Sequence, residues 1–336
     1  MKSQISFANK KILFITTKNL DYIRNSQEIS LIKEQADMVR VLGSNDSTYM
    51  VRLLKIYVQL LFVACGKYDM VFIGFAPQLI VPLFFWKFRK TELVIDFFIS
   101  IYDTMVFDRK KFSKTGLMGK VCRWVDLITI KKADYVISDT NAHGDYFSEE
   151  FDVERSKINT LYLEADKSIY FPMNIEKSDE LKNKFVVLYF GSILPLQGVE
   201  IILETIEKLK QYPNIHFLLI GPMRKKYACP EGENVEYYDW LSQRELAKKI
   251  AGADLCLAGH FHPDIAKARR TIPGKAYIYH AMQKKMILGE NLANRELFAE
   301  DDEKVFYVEM GSSLKLSNKI LEIMKNNKDK DGVMKK

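Results

Sequence analysis

The stretch FVVLYFGSILPLQGVEIILETIEKL (Phe185–Leu209) decides the fold. Its first six residues form a continuous apolar run, which is typical of a strand buried on both faces of a parallel sheet. Its last eleven residues place Ile202, Ile206 and Leu209 on one face of a helix. A strand, a short loop and an amphipathic helix are the repeating unit of an α/β protein. In such folds the loop lies at the carboxyl edge of the sheet, where ligands bind.

Apolar runs of the same kind recur along the chain in two groups, separated by a polar segment, Glu164–Lys184, that lacks either periodicity. Helical patterns such as Tyr49–Ala64 lie between the runs. The pattern predicts two Rossmann-like α/β domains, residues 1–168 and 169–325, with parallel sheets facing a central cleft, and a frayed tail, 326–336. The predicted strands are Lys11–Thr17, Val39–Leu42, Met70–Gly74, Leu93–Asp96, Ala133–Ser138, Phe185–Phe190, His216–Ile220, Val235–Tyr238, Asp254–Ala258, Lys285–Leu288 and Val305–Val308.

The composition is that of a soluble globular protein, with 48% hydrophobic and 28% charged residues in 336. It excludes disordered, collagen-like and disulfide-stapled chains. Four scattered cysteines without a C-x-x-C pair, and an N-terminus without an apolar signal core, predict a cytoplasmic protein. The most apolar stretch, Val71–Trp86, is interrupted by Pro77 and Pro82 and predicts no membrane span. Neither a dinucleotide-binding G-x-G-x-x-G after the first strand nor a P-loop is found.

The formal charge of +7 is a mild excess, and much of it lies in one segment. Residues 82–132 hold eleven basic and five acidic side chains, interleaved with aromatic residues that include Trp86 and Trp124. This mixture suits an anionic membrane surface. No nucleic-acid motif accompanies it, so no nucleic-acid partner is predicted. A buried aromatic face with a solvated basic rim is the alternative.

The loop after the strand at Phe185–Phe190 is the first candidate site. Gly191 lets the backbone approach a ligand closely, and the helix that begins after Gly198 presents free N–H groups to an anion. An ordinary βα loop, in which the glycines only make the turn, is equally consistent with the spacing.

The segment KARRTIPGK (Lys267–Lys275) is the second candidate, and it leads into a predicted helix after Pro273-Gly274. It contains four cations and no acid: Lys267, Arg269, Arg270 and Lys275. Cations at a helix N-terminus are unfavourable by roughly 0.3–1 kcal/mol each, because the dipole there is already positive. A bound anion such as a diphosphate would remove that penalty. Alternatively, the cations are solvated or paired with acids such as Asp254 or Asp264.

These motifs, in this order, resemble the donor domain of glycosyltransferase family 4, retaining enzymes of the GT-B fold. The N-terminal half resembles, more loosely, the acceptor domains of bacterial polysaccharide-assembly members. The segments that carry the resemblance are YFGSILPLQGVEIILETIEKL (Tyr189–Leu209), FLLIGP (Phe217–Pro222), NVEYYDWLSQREL (Asn234–Leu246), IAGADLCLAG (Ile250–Gly259), KARRTIPGKAYIYHAM (Lys267–Met282), DFFISIYDTMVFDRKKF (Asp96–Phe112) and ADYVISDTNAHGDYF (Ala133–Phe147).

The resemblance implies transfer of a sugar, with retention, from a nucleotide-diphosphate sugar to a glycan or lipid-linked acceptor in bacterial surface-polysaccharide biosynthesis. The enzyme would lie in the cytoplasm, with a peripheral position on the inner face of the plasma membrane as the further expectation. It would need no metal or cofactor, because cations and helix N-termini stabilise the leaving diphosphate. Lys267 and Arg270 would neutralise the diphosphate. The remaining donor-site residues implied are Gly191, Ser192, Gln197, Gly198, Gly274 and Lys275.

In the N-terminal domain, Asp139 and His143 follow the strand Ala133–Ser138 and are expected to face the transferred sugar. Four charged residues that follow the strand Leu93–Asp96 or end it are expected to bind acceptor hydroxyl groups. They are Asp96, Asp103, Asp108 and Arg109. Helix caps and surface ion pairs are the alternative for each acid, and a structural role is the alternative for the histidine.

The chain departs from the family at four positions. Ser192 and Gln197 stand where many members carry an arginine and a lysine, and Arg270 and Ile278 stand where a pair of glutamates is usual. An isoleucine cannot accept hydrogen bonds from ribose hydroxyl groups. We expect Lys267 and Arg270 to have taken over the phosphates. The alternatives are a catalytically degenerate paralogue that binds nucleotide sugars or glycans and, more remotely, a nucleotide-sugar epimerase.

Overall fold

The computed structural model describes residues 5–301 and 303–333. The chain divides into two compact units between Glu164 and Ala165. Each unit contains one six-stranded sheet in which all strands are parallel and are connected by α-helices or, in one case, by a loop with a short 3₁₀ turn. The predicted α/β class with two Rossmann-like domains is confirmed.

The first sheet has the strand order β2-β1-β3-β4-β5-β6. Its strands are β1 (Lys11–Ile15), β2 (Met38–Leu42), β3 (Met70–Ile73), β4 (Glu92–Asp96), β5 (Tyr135–Ser138) and β6 (Ile158–Thr160). The helices are α1 (Ile23–Lys33), α2 (Tyr49–Phe62), α3 (Val81–Phe88), α4 (Leu117–Lys132) and α5 (Asn141–Phe151).

The second sheet has the strand order β12-β11-β10-β7-β8-β9. Its strands are β7 (Phe185–Phe190), β8 (Ile215–Ile220), β9 (Val235–Tyr238), β10 (Leu255–Gly259), β11 (Met286–Gly289) and β12 (Val305–Val308). The helices are α6 (Val199–Leu209), α7 (Gln243–Gly252), α8 (Gly274–Ala281), α9 (Leu292–Leu297) and α10 (Ser313–Val333).

The core of each unit lies on both faces of its sheet, as the unbroken apolar runs predicted. All four residues of β3 are buried, as are the first five of β7. Helix α6 buries Val199, Ile202, Ile206 and Leu209 against the second sheet, and its bounds are the predicted ones. Burial of apolar side chains stabilises such a layer by about 25 cal/mol per Å², more than any other interaction in it.

Two local features differ from the predictions. Strand β6 was not predicted, because only Ile158 of its three residues is apolar and buried. Helix α10 continues to Val333, past Asn326, where the sequence predicted a frayed tail to begin. A helix that is already nucleated by packed turns extends at little cost through polar residues. Residues 334–336 of the predicted tail lie outside the described residues.

Within the described ranges, no helix has both the length and the hydropathy needed to cross a bilayer.

Candidate functional site

The predicted donor loop follows β7, at the point where the order of the second sheet reverses. Strand β7 lies between β8 and β10, so the chain turns in opposite directions after β7 and β10. Ligands of open α/β sheets bind at the carboxyl ends of the strands at such a point. The loop Gly191–Gly198 and the segment after Gly259 are the two loops that meet there.

Both glycines of this loop are required by their surroundings. Gly198 has φ +64°, and a Cβ on it would lie 2.6 Å from the backbone nitrogen of His262. Gly191 has φ +154°, and a Cβ there would lie 2.8 Å from Gln197 Oε1 and 3.2 Å from Lys275 Nζ. Gly198 therefore serves backbone packing, whereas Gly191 leaves room for two polar side chains.

Lys275 lies in the first turn of α8 and is buried, with 5% of its surface exposed. Its Nζ donates to Gln197 Oε1 at 2.7 Å and lies 4.3 Å from the centre of the Tyr189 ring. The Tyr189 hydroxyl donates to the same Gln197 oxygen. Both contacts of the amine are with neutral groups, and burial lowers its pKa from 10.5 to about 7. The amine thus lies beside residue 197, where the resembled family carries a lysine.

Lys267 and Arg270 lie in and directly after a short 3₁₀ turn, Ala266–Arg269, that precedes α8. This turn packs beside the donor loop, because Leu196 shares a buried cluster with Ile265 and Ala268. Asp254, one of the acids considered as a partner for the cations, binds Lys177 instead. The structure therefore brings the loop, the basic turn and Lys275 to the same edge of the second sheet. Ser192 and Gly274 are exposed there, and Ile278 is partly buried.

In the first unit, the order of the sheet reverses between β1 and β3, and a buried ionic cluster occupies the region beside it. Arg24 of α1 donates from Nε and a terminal nitrogen to the two oxygens of Asp96, at 2.7 and 2.8 Å. Its third nitrogen donates to the Leu161 carbonyl at 2.9 Å. Both side chains are buried. Asp96 is the counter-ion of Arg24, and acceptor binding by Asp96 stays a prediction.

Glu28, one turn along α1, completes the cluster. Its Oε1 lies 3.7 Å from Arg24 Nε, and the side chain is fully buried. Burial, followed by the charge of Asp96, raises its pKa well above 4.5, and Arg24 opposes this shift only in part. A protonated Glu28 leaves one positive and one negative charge in the cluster, which is the arrangement that a buried site tolerates.

Glu28→Gln is expected to remove part of the pH dependence of stability. The native pKa of Glu28 lies above its unfolded value. The stabilisation that protonated Glu28 contributes to folding is therefore fully present below about pH 4.5, and it is lost as the pH rises towards the native pKa. The glutamine keeps the shape and does not ionise. Urea unfolding at a series of pH values from acid to neutral should show a flatter profile for the variant. Glu34→Gln, at the exposed end of the same helix, is the control and should leave the slope unchanged.

Asp139 and His143 meet at the carboxyl end of β5, as predicted. Asp139 Oδ1 lies 2.6 Å from His143 Nδ1, and the ring is buried against Phe147, with 4.1 Å between the ring centres. The Thr140 hydroxyl caps α5 by accepting from the His143 backbone nitrogen at 3.0 Å. An Nδ1 proton donated to the carboxylate leaves Nε2 as an acceptor, and that nitrogen is itself buried.

The other predicted acceptor residues lie in a π-helical turn, Asp103–Asp108, or directly after it. Asp103 and Asp108 are buried and Arg109 is exposed. Acceptor binding by Asp103, Asp108 and Arg109 stays a prediction.

Asp126 of α4 was missed by the sequence reasoning. Its carboxylate accepts from the Ser100 hydroxyl, the Ile101 and Tyr102 backbone nitrogens and the Gln78 side chain. It fixes the segment after β4 that leads to the π-helical turn. Arg24 and Glu28 were missed as well, since their i,i+4 spacing on a polar helix is also that of an ordinary surface pair.

Among the residues that the structure describes, no three His, Cys, Asp or Glu side chains are grouped to bind a metal ion. The absence of a metal from the reaction stays a prediction.

The two parallel sheets with their flanking helices match the GT-B fold of glycosyltransferases of known structure. HepE from Anabaena, solved with UDP and glucose, is 15% identical over 95% of this chain and 91% of its own, with a TM-score of 0.61. Sucrose-phosphate synthase from Thermosynechococcus elongatus is 12% identical over 94% and 90%, with a TM-score of 0.64. At such identities the likeness establishes the fold.

In sequence, the chain is similar to an uncharacterized 41.2 kDa protein in the cps region of Klebsiella pneumoniae, with 22% identity over 200 residues. The match covers 57% of this chain and 54% of that protein, about half the length of the relative. No protein-family model matches the chain.

Proposed function

We propose that the chain is a retaining glycosyltransferase that moves a sugar from a nucleotide-diphosphate sugar to a glycan or lipid-linked acceptor. The observation that carries the proposal is the buried amine of Lys275, which faces the Gly191–Gly198 loop at the switch point of the second sheet. The same fold holds UDP in HepE. The proposal includes a role in surface-polysaccharide biosynthesis at the cytoplasmic face of the membrane, as the resemblance to glycosyltransferase family 4 implies.

Lys275 would replace the lysine that the donor loop lacks. The Gln197 oxygen is already engaged by Lys275 and Tyr189, so the NH₂ group of that carboxamide is left as a donor for another acceptor. A diphosphate at the first turn of α8 would meet this NH₂ group, the free backbone N–H groups of Gly274 and Lys275, and the amine. A dianion beside the amine favours its protonated form.

His143 and Asp139 would face the transferred sugar, whereas the cations of the second unit would bind the diphosphate. His143 would orient Asp139, and the partly exposed carboxylate of Asp139 would accept a hydrogen bond from a hydroxyl group of the transferred sugar or of the acceptor. In a retaining transfer the leaving diphosphate takes the proton of the acceptor hydroxyl. The cations therefore need to stabilise developing charge on the diphosphate, which is worth most in a site that excludes water.

The decisive experiment is a release assay with a panel of nucleotide-diphosphate sugars, with and without simple or lipid-linked sugar acceptors. Release of nucleoside diphosphate that requires an acceptor supports transfer, and the anomeric configuration of the product, read by NMR, tests retention. Sugar interconversion without acceptor would support an epimerase. Donor binding without turnover would favour the degenerate paralogue, which the Ile278 substitution for a glutamate makes the second candidate.

Arg270→Ala should weaken donor binding by about 1.5–3 kcal/mol, the value of a hydrogen bond to a charged group. Titration calorimetry with UDP gives the difference directly. Arg269→Ala is the matched control, since Arg269 is exposed and donates to the Pro263 carbonyl at 3.1 Å. Equal affinities of the Arg270 variant and the unmodified protein would remove Arg270 from the site.

A further inference from the structure

Helix α2 exposes an apolar stripe along its outer face. Met50, Leu54, Val58, Leu61 and Phe62 recur at helical spacing and are all exposed, Leu54 by 64% and Phe62 by 85%. The opposite face of the same helix is the one packed in the core. In the sequence, Leu54 and Leu61 recur with Leu60 at helical spacing, although only Leu60 is buried. When a helix is apolar on both faces, the face that is not packed in the core is a candidate contact surface for a partner.

Helices α3 and α4 continue this surface. Leu83 and Trp86 of α3 are exposed at i,i+3 spacing, and Leu117, Val121 and Trp124 of α4 at i,i+4 and i,i+7. Trp86 is exposed by 59% and Trp124 by 57%. Three consecutive helices of the first unit therefore present apolar and aromatic side chains to solvent.

The three helices are neighbours. Lys87 of α3 donates to the Leu60 and Leu61 carbonyls at the end of α2, at 2.5 and 2.8 Å. Lys132 of α4 lies 4.6 Å from the centre of the Phe85 ring of α3. The exposed residues of α2, α3 and α4 thus belong to one side of the first unit, which we call the helical face.

Basic side chains outnumber acidic ones around the helical face, although Arg123 and Lys131 are paired with Glu150 and Asp152. Of the five acids in residues 82–132, all four aspartates are buried, and Glu92 is paired with Lys10. The basic side chains of the segment stay outside, with Lys111, Lys114 and Lys120 among the exposed ones. The surface that this segment offers to a partner is more basic than its sequence charge suggests.

We propose that the helical face docks on a bilayer that contains anionic phospholipid. Exposed tryptophans and a phenylalanine suit the headgroup boundary, where large aromatic side chains are favoured, and the surrounding lysines suit the negative surface potential. A second copy of the chain would bring like charges together around the apolar stripe, which is unfavourable. The proposal places the contact on α2 as well as on the segment 82–132.

Vesicle sedimentation at low salt tests the proposal on the full chain. We expect the protein to pellet with vesicles of phosphatidylcholine and phosphatidylglycerol in equal parts, to remain in solution with phosphatidylcholine alone, and to be released by salt. The double variant Leu54→Gln, Phe62→Gln should bind at least about tenfold more weakly. Leu292→Gln, Leu314→Gln is the matched control, since both side chains are exposed apolar residues of the second unit, at 76% and 61%.

Several outcomes would overturn the proposal. They are no binding to the mixed vesicles, equal binding by the Leu54, Phe62 double variant, and a dimer in solution that the same variant converts to monomer. UDP binding without vesicles is measured on the same samples. A chain that binds UDP but not vesicles contradicts only the docking, and one that binds vesicles but releases no nucleotide from any donor contradicts only the transferase proposal.

Discussion

Lys275→Met should raise the stability of the second unit and abolish most of its affinity for nucleotide-diphosphate sugars. Methionine fills the space of the lysine stem and removes an amine that is buried against neutral groups. We expect the free energy of unfolding to rise by roughly 1–3 kcal/mol, because a buried charge without a counter-ion opposes folding. UDP affinity should fall about 10- to 100-fold, the equivalent of one lost hydrogen bond to a charged group.

The stability gain should depend on pH in a direction that identifies its cause. The native pKa of Lys275 is about 7, below the unfolded value of 10.5, so the unfolded chain binds more protons between these values. The stability of the unmodified protein therefore rises with pH across this window. The variant lacks that rise, so its advantage should be largest at or below neutral pH and shrink in alkali. Thermal unfolding at several pH values measures it.

Lys284→Met is the matched control for this prediction. Lys284 is also partly buried, its pKa is lowered by burial, and its Nζ donates to the Ala251 carbonyl at 2.8 Å, away from the donor loop. The control should leave UDP affinity unchanged. A Lys275 variant with undiminished UDP binding would exclude the amine from the donor site.

Arg24→Met should strongly destabilise the first unit. The substitution leaves Asp96 buried without its counter-ion, next to the buried carboxyl of Glu28. Removal of one partner of such a pair costs about 3–5 kcal/mol. Urea unfolding followed by circular dichroism should show an early transition for this unit, and raising the pH should enlarge the effect, because the buried Glu28 carboxyl then ionises with no cation beside it.

Arg123→Met tests whether burial of the ion pair causes the large loss of stability expected for Arg24→Met. Arg123 Nε lies 2.7 Å from Glu150 Oε1, the same distance as Arg24 Nε from Asp96, but the Arg123 side chain is 43% exposed. An exposed ion pair contributes about 0–1 kcal/mol. Similar losses from the two substitutions would contradict the argument from burial.

Much of the fold could be predicted from the sequence, since a strand buried on both faces is an unbroken apolar run. The run at β7 was located by this rule, and the helix at α6 by the helical spacing of its apolar residues. Strand β6 was not predicted, because its three residues join the sheet through backbone hydrogen bonds and carry no apolar side-chain pattern. The buried face of α2 could not be identified from the sequence, because the solvent-facing side of the helix also carries apolar residues such as Leu54.

The candidate sites were predicted less completely, because they depend on which polar groups are buried together. The sequence placed Lys275 at a helix N-terminus, but its contact with Tyr189 joins residues that only the folded sheet brings near each other. Asp96 was expected to bind hydroxyl groups since it ends a strand, yet Arg24, far away along the chain, takes both of its oxygens. The roles of Lys267, Arg270 and Asp139 stay predictions, as does the cleft between the domains.

The four hydrogen bonds to Asp126 couple the position of α4 to the position of the segment after β4. Trp124, on the helical face, and Asp126, which holds the Ser100–Tyr102 segment, are two residues apart on the same rigid helix. A shift of α4 would have to break those bonds or carry the segment with it. If a lipid surface tilted α4, the Ser100–Tyr102 segment would therefore move with it, and that segment leads directly to the π-helical turn where Asp103 lies.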